Sequence, residues 1–83
     1  MSFRTVTTHQ ALKCLGSMQQ ARWHRLLRDI DEASSQREMD HAKYRAEGYL
    51  LGLFDAHVFD EAERVALLEE ALTREQTSTL FDA

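Results

Sequence analysis

Three runs of the chain repeat apolar residues at helical spacing, and each is preceded by the same polar signal. Thr7-x-x-Gln10, Ser35-x-x-Glu38 and Asp60-x-x-Glu63 all have the form of a capping box. In that motif the first side chain accepts from an orphan backbone N–H, and the amide or acid three residues on reaches back. The runs that follow predict helices over about 8–33, 36–56 and 61–78. The first collects Leu12, Leu15, Trp23, Leu26, Leu27, Ile30 and Ala33 within one arc at 100° per residue. The second gathers Met39, Ala42, Ala46, Tyr49, Leu50, Leu53 and Phe54. The third offers Val65, Leu68 and Leu72, flanked by Leu67 and Ala71. No run alternates with the two-residue period of a strand.

Short connections make sequential helices antiparallel neighbours. The expected fold is therefore all-α: a small antiparallel three-helix bundle with a long first helix, spanning 1–83 as one domain. Trp23, near the centre of its stripe, should be buried. A 26-residue first helix would be about 39 Å long, longer than the third helix can cover. Either Gly16-Ser17 breaks it, or its free end packs on another chain. Gln19 falls inside the apolar arc, as a core amide or as a polar residue that sets the register of a dimer seam.

Charge changes the picture more than composition does. Residues 1–28 carry five basic side chains and no acid, while all fourteen acids lie in 29–83. The net charge of −4 thus averages two opposed halves, a pattern that suggests a partner-binding surface more readily than a reaction. Eight of the ten basic residues are Arg, which fits a GC-rich bacterial, phage or plasmid gene. A lone cysteine, Cys14, requires no oxidising compartment, so the cytoplasm is the simplest location. No stretch reads as a membrane span or as a signal peptide.

The residues exclude most chemistry. His9, His24, His41 and His57 lack metal-ligand spacing, and no phosphate-binding glycine loop or nucleophile elbow occurs. No catalytic residue, metal or cofactor is expected, and the chain is not expected to be an enzyme. Carboxylates near the third helix follow a solvated face, with Asp60–Arg64 and Glu70–Arg74 spaced for i, i+4 pairing. The C-terminal Leu80 and Phe81 are candidates for packing back on the bundle or for a short apolar anchor.

Two surfaces remain. Gly48 and Gly52 lie four apart on the second helix, opposite its apolar stripe, with Tyr44, Arg45 and Leu51 beside them. Each glycine costs about 1 kcal/mol relative to alanine in a helix interior. They serve either close packing within the chain or a second contact surface, for a partner protein or another copy. Arg22, Arg25 and Arg28 form an i, i+3, i+6 row on the first helix. Such a row suits nucleic-acid phosphates or an acidic partner, or is a solvated face balanced by Asp29, Asp31 and Glu32. A pI of about 5.5 and the lack of a helix-turn-helix weigh against nucleic acid.

The expected function is a small non-enzymatic protein-binding module: a regulator, adaptor or inhibitor. By analogy with other small acidic helical proteins, one version is a phage- or plasmid-encoded inhibitor of a host protein, of the anti-CRISPR type. A nucleic-acid-binding regulator is the alternative. A homodimer is expected, because a chain this short gains by burying more surface.

Overall fold

The computed structural model describes residues 5–74. These form four helices and, among the described residues, no strand: α1 (Thr8–Leu12), α2 (Ser17–Asp31), α3 (Gln36–Asp55) and α4 (Glu61–Leu72). The expected long first helix is two helices, so the three-helix arrangement is corrected to four.

The break follows from local hydrogen bonding. Gly16 has extended backbone angles at the start of α2. The Gln19 side-chain oxygen accepts from the Gly16 N–H at 2.9 Å. Glycine has no side chain to return the bond, so this is half of a capping box. Gln20 completes the corner by donating from Nε2 to the carbonyls of Leu12 and Leu15, both at 3.0 Å. The Leu12 carbonyl also accepts from the Leu15 N–H at 3.0 Å, so the Gln20 amide adds a second bond where α1 ends. Gln19 is therefore a capping residue, half-buried at a helix start, rather than a core amide.

Once broken, the chain turns α1 onto α4. Ala11 is fully buried there and Leu15 nearly so, while Val6 and Leu12 pack against the same core. The free end of the expected long helix is thus covered within the chain. The Thr7 box forms in both directions: the hydroxyl accepts from Gln10 N–H at 3.1 Å, and Gln10 Oε1 accepts from Thr7 N–H at 3.0 Å. The Asp60 box is equally complete. The Ser35 box is half made. Ser35 Oγ accepts from Glu38 N–H, but the Glu38 carboxylate accepts from the N–H and hydroxyl of Ser34 instead.

The remaining packing places α3 in the middle, against α2 on one side and α4 on the other. The core joins Trp23, Leu26, Leu27 and Ile30 of α2 to Met39, Ala42, Ala46, Leu50 and Leu53 of α3 and Leu67 and Ala71 of α4. Trp23 is fully buried, and its indole N–H donates to Glu70 at 3.2 Å. The α4 stripe is rotated from the expected one. Leu67 and Ala71 are inside, Val65 and Leu68 are half-buried, and Leu72 is 45% exposed. With α1 added to its neighbours, α4 turns a different edge inward.

Two helix ends differ from expectation. Helix α4 stops at Leu72 rather than near residue 78. Its Leu72 carbonyl accepts from Lys43 Nζ at 3.0 Å, and Thr73 Oγ1 donates back to the Glu69 carbonyl. Arg74 then pairs with Asp31 across the bundle, and Arg64 pairs with Glu61. Helix α3 ends in a double-bonded turn: Val58 N–H donates to the Leu53 carbonyl and His57 N–H to the Phe54 carbonyl, each at 3.0 Å. This is a Schellman ending, with His57 at the left-handed position (φ 61°) that usually belongs to glycine. Leu80 and Phe81 lie outside the described residues.

Candidate functional site

Among the described residues, helix α3 has no helix packed on its outer side, which leaves that face open. A Cβ added to Gly48 or to Gly52 meets no atom within 4 Å. The reading in which these glycines let another helix of the same chain approach is therefore corrected: among the described residues, nothing uses their smallness. Tyr44 is 76% exposed and Leu51 43%. Arg45 is exposed as well. All five residues expected at a partner-binding patch thus lie on one solvent-facing stripe.

The same view brings in part of the arginine row. Arg45 reaches toward Asp29 of α2 at 3.8 Å, and Arg25 pairs with that carboxylate at 3.4 Å. Arg22 borders a hollow of about 360 Å³ with Met18, Gln19, Tyr49 and Leu53, where α2 begins beside the end of α3. Arg22, Arg25 and Arg28 are all exposed. They do not act as one surface, because at 100° per residue Arg28 points about 120° away from Arg22. Arg22 and Arg25 flank the α3 face; Arg28 leaves it. Exposed ion pairs such as Arg25–Asp29 and Arg45–Asp29 contribute little, about 0–1 kcal/mol, so they restrain these side chains only weakly.

Met18, 86% exposed at the start of α2, is the surface residue that the sequence pattern did not single out. Its signal was the Gly16 break: once α2 starts at Ser17, the preceding turn no longer covers it. At the other end of the α2–α3 groove, a second hollow is lined by Asp29, Glu32, Glu38, His41 and Arg45 with two alanines. Its charges are mixed and surface-exposed. The Ser34 hydroxyl and N–H hold the Glu38 carboxyl below its usual range by bonding to the charged form.

Among the described residues, no group of three or more His, Cys, Asp and Glu is placed to hold a metal ion. The Cys14 thiol donates to Glu63 Oε2 at 2.8 Å, tying the end of α1 to α4. Glu63 meanwhile caps Asp60 with its other oxygen. Among the described residues, no helix is long and apolar enough to cross a membrane. No protein-family model, curated protein or solved structure matches the chain.

Proposed function

We propose that this chain is a small non-enzymatic protein-binding module, a regulator, adaptor or inhibitor, whose contact surface is the outer face of α3. The observation that carries the reading is the pair of glycines inside a helix with open space above both. Two interior glycines weaken a helix by about 1 kcal/mol each, and among the described residues no contact offsets that. A flat strip flanked by an exposed aromatic and an exposed leucine is suited to a close-approaching partner. Tyr44, Arg45, Gly48, Leu51 and Gly52 are the proposed contacts. Inhibition of a host protein, of the anti-CRISPR type, is one concrete version and rests on analogy.

The test is capture by the tagged full-length chain from the cell that encodes it, run beside Gly52→Glu. The variant should keep its helical circular dichroism, because its Cβ enters open space, and should lose the captured partner. Equal capture by both proteins would remove the α3 face from the reading.

Nucleic-acid binding is the second reading, favoured by Arg22 and Arg25 standing beside the same face. It is weakened by the divergence of Arg28 and by the Asp29 carboxylate between Arg25 and Arg45. It requires binding that falls steeply with salt, with each arginine removed lowering the slope by about one. No shift with DNA or RNA at low salt would end it.

A further inference from the structure

The outer face of α3 has an internal symmetry. Arg37, His41, Tyr44, Gly48, Leu51 and Asp55 are spaced four, three, four, three and four residues apart, the 3.5-residue repeat of a helix–helix seam. All are exposed. The spacing reads the same in both directions. An antiparallel copy with its two-fold axis at the level of residue 46 therefore sets Arg37 opposite Asp55, His41 opposite Leu51 and Tyr44 opposite Gly48, each twice. The bulky ring meets the position with no side chain, and opposite charges meet at both ends. A parallel copy would instead set Arg37 on Arg37 and Asp55 on Asp55.

The end charges carry an independent argument. Arg37 lies in the first turn of α3 and Asp55 is its last residue. A helix carries partial positive charge at its start and partial negative charge at its end, so both residues oppose the dipole of their own helix. Neither makes an ion pair with another described residue. Against an antiparallel neighbour each unfavourable charge gains an opposite one.

We propose that the outer face of α3 is the two-fold interface of an antiparallel homodimer, with Tyr44 seated over Gly48 of the second copy and Arg37 paired with its Asp55. The proposal rests on the reading of this face as a contact surface and names its occupant. Helix α3 is about 30 Å long, and one helix stripe covers less than the roughly 800 Å² per partner of a standard interface. The dimer is therefore weak and concentration-dependent, and Met18 and Arg22 widen the face at its edge.

Sedimentation equilibrium from low micromolar to submillimolar concentration tests it. The wild-type mass should rise from 9.6 kDa toward twice that value. Arg37→Asp and Asp55→Arg should each weaken association by roughly tenfold or more, since like charges then meet twice. The double variant should restore it. Neither change threatens the fold, because each removes a charge that opposes the helix dipole; circular dichroism should show full helicity. A wild-type mass of 9.6 kDa throughout, or single variants that associate like wild type, overturns the proposal. So does a double variant that stays monomeric. If wild type is monomeric yet Gly52→Glu still abolishes partner capture, the binding face stands and the dimer falls. If wild type dimerises but ignores both charge variants and Gly52→Glu, both readings of the face fall.

Discussion

Helix α3 uses small residues on both of its faces, to opposite ends. On the inner face Ala42 and Ala46 are buried among Met39, Leu50 and Leu53, with α2 and α4 packed beside them. Their smallness admits neighbours. On the outer face Gly48 and Gly52 are smaller still, and no atom of the described residues takes up the space. A small residue in a helix is thus no sign of what it does. The neighbour that fills or fails to fill the gap decides whether it belongs to the core or to a surface.

The contrast is broken most severely from the inside. Trp23→Ala should cost about 3–5 kcal/mol and Leu50→Ala about 2–5 kcal/mol, since both side chains are fully buried. For a chain near the low end of native stabilities, the tryptophan change removes most of the cooperative transition in a urea melt. A Trp23→Ala protein with an unchanged midpoint would mean that the core lies elsewhere. From the outside the sign reverses. Gly48→Ala and Gly52→Ala should each stabilise the monomer by about 1 kcal/mol, a rise of about 4–8 °C in midpoint temperature for a domain of this size. The melts belong at low concentration, where association does not contribute. A fall in midpoint would show that something does fill that space.

Smaller effects sharpen the two ends of the helix. His57 holds a left-handed conformation that costs a non-glycine residue about 1–2 kcal/mol. His57→Gly should relieve part of it, offset by the greater freedom of glycine when unfolded. The expected gain is about 0.5–1 kcal/mol, read as a higher urea midpoint, and an unchanged one would mean that the position carries no strain. At the N-terminal end the effect is smallest. Bonds from Ser34 lower the folded-state pKa of Glu38 from 4.5. The stabilisation is therefore fully present above that value and lost as pH falls through the lower folded one. Glu38→Gln should flatten this part of the acid limb of a pH–stability curve by lowering stability slightly at neutral pH, while leaving it nearly unchanged at acid pH. A steeper acid limb in the variant would contradict the bond.

Much of this was legible from spacing. The capping residues Thr7, Ser35 and Asp60 begin helices where the pattern places them, because a cap is a local hydrogen bond between residues three apart. The apolar stripes of α2 and α3 match the buried residues closely, since a helix with one wet side sorts its own side chains. The stripe of α4 was misjudged. Its apolar residues spread around the helix, and only the docking of α1 selects Leu67 and Ala71 over Val65 and Leu72. Ala11 and Phe59, both buried, were missed because each stands outside a periodic run. Gln20 was missed because its two bonds reach five and eight residues back, to carbonyls freed only once the helix breaks.

The outer face of α3 divides in the same way. That Gly48 and Gly52 oppose the apolar stripe follows from helical geometry, and the sequence alone carries it. It also carries the helical class, the caps, the charge asymmetry and the alternating four- and three-residue spacing from Arg37 to Asp55. What only the tertiary structure decided is which gaps are filled: that α1 folds onto α4, that Glu63 and Glu70 meet Cys14 and Trp23, and that no element among the described residues covers the glycines. The physical reason is range. Caps and stripes arise from residues three or four apart, whereas occupancy of a surface depends on groups some fifty residues away, which no local pattern encodes.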